Sequence, residues 1–361
     1  MSGSSARALR LRPLQLVPIA GGVIIKRGRM ELRVGGSGAY EFVLTVLDAA
    51  ARGSSVEDIR ELFDGATRSN ADALLEQLEQ HRLLLADDEP DPDPPWETPL
   101  ELFHWSAGAS PGEVAQQLAK AHIAVIGVNE VSAALVSTLR AAGIGTVEVV
   151  NYPFLCNLRM LDESGEVSVD SWPADLGVPV AYDEWSEKDR SGLHCLVATS
   201  DFGGLDLMRV WNRYSLERDI PFLPVVLQDL VGYVGPLSVP GRAACFECAY
   251  LRQNANLDQR EEMRSTEPLA FFGQGVTAAY HPALPAALGQ FAALEISRLL
   301  GAWGSPRVIG ALIEVDLLAP GLVCRPVLKL PRCPVCGEAS ARSTTEIFGR
   351  TFLPGTHEPH G

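Results

Sequence analysis

Hydrophobic and polar positions follow two regimes along this chain. Up to residue 86 the apolar runs are short and one-sided. Residues 14–17, 23–27 and 30–34 read as strands, with Met30, Leu32 and Val34 alternating as in a half-buried strand, and Gly21-Gly22 and Gly28 supply the turns. Three helices are predicted next. The first covers about residues 38–51 and carries Phe42, Val43, Val46 and Leu47 on one face. The second starts at Ser55, whose hydroxyl caps it while Asp58 answers three residues on. The third starts at Asn70 as N-cap and places Leu74, Leu75 and Leu78 at helical spacing. A hairpin sheet followed by three short helices is a winged-helix arrangement, expected over residues 1–86.

From residue 121 the runs lengthen and are buried on both faces. His122-Ile-Ala-Val-Ile126 is a parallel strand ending at Gly127, and a helix from Asn129 to Ala142 closes at Gly143. Further strands are predicted at 146–150, 193–198, 221–227 and 232–239, with a helix over 205–219. Strand, glycine turn, helix and strand is the opening of a Rossmann-like α/β fold, where amides at the helix start cradle phosphate. Its fingerprint is damaged here: the chain reads Gly127-Val-Asn129-Glu130-Val-Ser132, with one glycine of three, and Asn151 stands where a ribose-binding acid belongs. The turn Thr199-Ser200-Asp201 leaves one acid nearby. Between the regimes, Asp87 to Pro95 alternates acids with prolines and predicts an extended linker, placed over 87–111.

Two Cys-x-x-Cys pairs, Cys245/Cys248 and Cys333/Cys336, add chemistry to this outline. Such spacers let both sulfurs of a pair face one tetrahedral ion, and four thiolates close its coordination shell, so a structural zinc is expected; paired disulfides or unrelated thiols are the alternative. With no signal peptide visible at the start, seven cysteines point to a reducing, cytoplasmic setting. A formal net charge of −15 argues against nucleic acid as partner, and no apolar run reaches a membrane span. Charge is uneven, however: residues 1–35 hold Arg7, Arg10, Arg12, Lys26, Arg27, Arg29 and Arg33 against Glu31 alone. An open strand edge at 30–34 would therefore attract an acidic peptide, unless this is merely a solvated basic face.

The order of strands and helices over residues 10–86 resembles the PqqD-like precursor-recognition element of ribosomal peptide modification. The resemblance implies that a leader peptide lies as an added strand against Met30, Glu31, Leu32, Arg33 and Val34, and against the helix carrying Ala71, Leu74, Leu75, Leu78 and Arg82. Residues 112–340 resemble the ThiF/MoeB-like family, which adenylates a carboxyl terminus with ATP. The resemblance is carried by Val150-Asn151, Cys156-Asn157-Leu158, Thr199-Ser200-Asp201 and the cysteine quartet. It places a degenerate nucleotide site at Gly127, Asn129, Ser132, Asn151 and Asp201. Arg159 matches the family's arginine only with a one-residue shift, none of Lys120, Lys188 and Lys329 falls at the phosphate lysine, and Asp201 alone stands near the magnesium position. ATP is therefore not expected to be bound, and no catalytic residue is assigned.

A recognition module fused to a degenerate ThiF-like body is the layout of proteins that serve azoline-forming YcaO cyclodehydratases. The resemblance implies a homodimer that captures a leader and delivers core Cys, Ser or Thr residues to a separate ATP-dependent enzyme. Two alternatives stay open: an active adenylating enzyme, and a winged-helix regulator with a pseudo-enzyme sensor. The apolar cluster 269–272 suits a partner contact and core packing equally, and 341–361 is expected to be a flexible tail.

Overall fold

The computed structural model describes residues 9–86, 98–164, 166–168, 170–188, 190–228, 230–255, 279–316, 318–319, 321–337, 345–347 and 350–352. The acidic run 87–95 and the cluster 269–272 lie outside them. The chain divides into two units, Met1–Val114 and Ala115–Gly361.

In the first unit, β1 (Leu9–Leu11), β2 (Gln15–Ile19), β3 (Gly22–Arg27) and β4 (Met30–Gly35) precede α1 (Ala39–Ala51), α2 (Val56–Glu61), α3 (Gly65–Gln80) and β5 (Leu84–Ala86). Strands β2, β3 and β4 form an antiparallel sheet in that order, with Ile25 opposite both Leu16 and Leu32. Val23 and Ile25 point from the central strand into a core completed by Val43, Val46, Ile59, Leu78 and Leu83. Ser55 caps α2 through a reciprocal pair of bonds with Asp58, as predicted.

Three features differ from expectation. Helix α3 begins at Gly65 with Asp64 as N-cap, so Asn70 lies within it. The extra turn is supported from outside the helix, since the Arg68 guanidinium donates to the carbonyls of Arg60 and Phe63 at the end of α2. Strands β1 and β5 pair antiparallel, a contact between the two ends of the module that local pattern does not reveal. Part of the expected linker is helical: α4 (Pro99–Ser106) starts in a capping box of Thr98 and Glu101. Trp105 of α4 lies 4.6 Å under the Arg27 guanidinium, so this helix packs on the hairpin between β3 and β4. Helix α5 (Pro111–Lys120) then runs across the boundary.

The second unit is built on an eight-stranded mixed sheet. Its strands are β6 (His122–Ile126), β7 (Thr146–Asn151), β8 (Val180–Ala181), β9 (Cys195–Ser200), β10 (Phe222–Gln228), β11 (Val231–Val234), β12 (Ala311–Asp316) and β13 (Gly321–Pro326). The spatial order is β8-β7-β6-β9-β10-β11-β12-β13, parallel from β8 to β10 and antiparallel beyond. Helices α6 (Glu130–Ala141), α7 (Tyr182–Ser186), α8 (Leu205–Leu216), α9 (Phe246–Ala255) and α10 (Ala283–Gly301) accompany it. Gly289 of α10 meets α6 so closely that a Cβ there would fall 2.7 Å from the Val131 carbonyl oxygen. The chain leaves β6 to one side for β7 and β8 and returns on the other as β9 and β10. The ends of β6 and β9 therefore flank the crevice where open α/β sheets bind ligands.

In the segment expected to be a flexible tail, β14 (Thr345–Ile347) and β15 (Arg350–Phe352) pair antiparallel. Among the described residues, no helix is long and apolar enough to cross a membrane.

Candidate functional site

At the crevice, strand β6 ends in Gly127 at φ +109°, where a Cβ would stand 2.8 Å from the Thr199 carbonyl oxygen and 2.9 Å from that of Leu155. Glycine is needed for this close approach. Two residues on, Asn129 is fully buried and caps α6 in a reciprocal box with Ser132. Its Oδ1 accepts from the Ser132 amide at 3.0 Å. Its Nδ2 reaches the carbonyl oxygens of Leu155 at 3.1 Å and Thr199 at 3.0 Å, and Thr199 Oγ1 at 3.1 Å. A side chain thus stitches β6 to its neighbours in the space where a phosphate-binding loop exposes bare backbone.

The start of α6 is likewise engaged. The Glu130 amide donates to Asp201 Oδ2 at 3.1 Å, so the anion position at a helix N-terminus holds the protein's own carboxylate. Asn157 Nδ2 donates to the same oxygen at 2.8 Å and the Tyr280 hydroxyl at 2.9 Å, while Asp201 Oδ1 has no partner among the described residues. Burial, reinforced by the Asp201 carboxylate, raises the Tyr280 pKa and keeps the phenol a donor. Asn151, at the end of β7, accepts from Cys156 Sγ at 2.8 Å, and burial pushes that thiol up to about 11. Arg159 is exposed, and Lys188 pairs with Glu184 at 2.7 Å. Chemically, this crevice gathers three donors on one oxygen of a buried carboxylate and leaves its other oxygen without a partner among the described residues.

The cysteine quartet converges differently. Cys245, Cys248 and Cys333 are buried and Cys336 is half-buried, with all four sulfurs within 4.8 Å of one another. The separations are 4.0 Å for Cys245–Cys248, 3.7 Å for Cys245–Cys333 and 3.5 Å for Cys248–Cys336. A disulfide needs about 2.05 Å. A tetrahedral ion with zinc–sulfur bonds of about 2.3 Å sets sulfurs about 3.8 Å apart, so the residues fit zinc. Hydrogen bonds donated by Cys245 Sγ and then by the Leu330 amide hold the Cys248 thiol below the usual thiol range. Gly337 permits the second knuckle to turn, since a Cβ there would sit 2.5 Å from the Cys333 carbonyl oxygen.

In the first unit, β4 pairs with β3 and its other edge has no strand partner among the described residues. Met30, Leu32 and Val34 are half-buried along it, while Glu31 and Arg33 are exposed. Glu31 pairs with Lys26 at 3.0 Å and stands 4.0 Å from Arg33. On the helical side, Ala71, Leu74, Leu75 and Leu78 are the buried face of α3 and belong to the module's own core. Arg82 is exposed just past the helix, at φ +55°.

Sequence reasoning missed Tyr280, which bonds Asn157 across 123 residues and carries no local signal. It also missed Arg209 and Asn212 of α8, which hold the first knuckle from a separate helix.

No protein-family model and no curated protein matches the chain. Among solved structures it is similar to the microcin C7 biosynthetic enzyme MccB in complex with N-formylated MccA, with TM-score 0.64 and 17% identity over 91% of this chain and 99% of that one. It is similar to E. coli MccB with ATP, with TM-score 0.62 and 16% identity over 91% and 100%. It is also similar to the heterocyclase TruD, with TM-score 0.59 and 20% identity over 94% of this chain and 45% of that one. These likenesses establish the fold, which is consistent with a ThiF/MoeB-like architecture.

Proposed function

We propose that this chain is a recognition and delivery subunit in the biosynthesis of a ribosomally made, heterocycle-containing peptide. In this reading the first unit is a PqqD-like element that binds a leader as an added strand on β4. The second is a zinc-stapled ThiF-like scaffold that presents core Cys, Ser or Thr residues to a YcaO cyclodehydratase. The observation that carries it is the open edge of β4 with its row of half-buried apolar side chains, Met30, Leu32 and Val34, beside exposed Arg33. An extended peptide gains backbone bonds along such an edge and side-chain contacts at alternate positions. Holding the leader raises the effective concentration of the core at the partner's active site without reading the core sequence. The fold shared with a heterocyclase and with an enzyme crystallised with MccA supports this assignment.

Delivery without ATP chemistry is supported by the start of α6, where the Asn129 side chain bonds the Thr199 carbonyl and the Glu130 amide is taken by the Asp201 carboxylate. A second reading, adenylation by this chain itself, draws support from the same fold in MccB with ATP. The test is a fluorescence-polarisation titration of labelled leader against the wild type and Leu32→Asp. Submicromolar binding that the variant loses is expected; no binding by a folded sample overturns leader capture, and ATP–pyrophosphate exchange by the chain alone favours adenylation.

A further inference from the structure

The two cysteine knuckles are held in unlike ways. Both spacer residues of the first, Phe246 and Glu247, are fixed by α8. The Glu247 carboxylate is 2% exposed and takes a two-pronged bond from Arg209, at 2.8 Å from Nε and 2.9 Å from Nη2. The same guanidinium bonds Asp206 at 2.7 Å and lies 4.2 Å over the Tyr250 ring. One turn along α8, buried Asn212 accepts from the Phe246 amide at 3.2 Å and from Ser238 Oγ at 3.0 Å, and that amide also reaches Ser238 Oγ at 3.2 Å. Phe246 itself belongs to the core beneath the sheet.

The second knuckle folds on itself, through Cys333 N to Leu330 O and Gly337 N to Cys333 O, both 3.0 Å. It meets the first through sulfur, with the Leu330 amide 3.4 Å from Cys248 Sγ, through Leu330 and Val335 packed on the small cluster of Ala244 and Ala249, and through Arg252 Nε, which donates to the Leu328 carbonyl at 2.8 Å; no buried ion pair fixes its spacer among the described residues. Pro334 is exposed and Val335 half-buried, where the first knuckle has a core phenylalanine and a buried ion pair.

We propose that Arg209 and Asn212 are positioning residues that hold Cys245 and Cys248 in ligand geometry before the metal arrives, and that zinc then captures the segment 328–337. The ion pair is the main device. A buried bidentate carboxylate–guanidinium bond fixes orientation as well as distance, and partners behind metal ligands characteristically tune affinity about 10–100-fold. The proposal rests on the zinc assignment and is independent of leader binding.

Removing Arg209 alone strands a buried carboxylate and endangers folding, so the double variant Arg209→Met/Glu247→Leu, which removes both charges and keeps apolar volume, is the sharper probe. Metal content of the purified full chain is measured first; a folded chain that binds no zinc removes the zinc assignment and this proposal together. On the zinc-loaded chain, amide hydrogen exchange is compared before and after withdrawal by a chelator, and zinc affinity is measured by competition with a chromophoric chelator. Exchange in the wild type should rise at least about tenfold over 328–337 and change less than about twofold over 245–252, and the double variant should bind zinc about tenfold more weakly. Equal deprotection of both knuckles in the wild type, or unchanged zinc affinity in a folded double variant, overturns the proposal.

Discussion

The crevice at the ends of β6 and β9 and the cysteine cluster are both convergences of polar groups in one α/β unit, with opposite chemistry. In the crevice, three donors from Glu130, Asn157 and Tyr280 meet one acceptor, Asp201 Oδ2, and the Asn129 amide is fully used. Donors there are satisfied within the protein, and one carboxylate oxygen, Asp201 Oδ1, is left over among the described residues. In the cluster, four sulfurs stand at the edge lengths of a metal tetrahedron, and thiols are poor partners for one another. One convergence serves the fold from within, whereas the other asks for a cation.

The largest effect that sharpens this contrast is loss of the metal. Stripping zinc from the full chain should remove about 4 kcal/mol and lower the melting temperature by roughly 10 °C, as read by calorimetry with and without chelator. Cys333→Ser should reproduce the loss and abolish the response to chelator. Next comes Asp201→Ala, which deprives three donors of their acceptor. It should cost about 3 kcal/mol in denaturant unfolding, while ATP leaves the wild-type melting temperature unchanged. A wild type stabilised by ATP would break the contrast.

A smaller effect is expected at β4: Arg33→Glu should weaken leader binding about threefold at low salt and less at high salt, with stability unchanged. A further effect concerns pH. Burial raises the Cys156 pKa to about 11, so the folded state favours the protonated thiol. Its stabilising contribution is complete below about pH 9 and fades as pH rises towards 11, by up to about 2 kcal/mol. Cys156→Ala should flatten that part of the stability profile, measured by urea unfolding at pH 8 to 11.

What sequence made visible follows the range of each interaction. The convergence of the cysteines was legible because a two-residue spacer is itself the geometry, and the altered fingerprint at Gly127 and Asn129 was legible as a departure from a local pattern. The partners of Asn129 were not, since they lie 26 and 70 residues away. The same holds for Tyr280, and for Arg209, which reaches Glu247 across 38 residues. At α3 the limit is different: apolar spacing shows that a face is covered and does not show by what, so Leu74, Leu75 and Leu78 suit a groove and a core equally. Helix α4 was hidden by the proline-rich run before it, although Thr98-Pro-Leu-Glu101 is a capping sequence.

Peptide delivery by a chain whose crevice handles no nucleotide is tested most directly by ATP–pyrophosphate exchange with the purified chain and full-length precursor peptide, run beside Asp201→Ala. No exchange by the chain alone, with ATP consumed only when a cyclodehydratase is added, is the predicted result. Precursor-dependent exchange by the wild type that Asp201→Ala abolishes would contradict the account and make the crevice an active site.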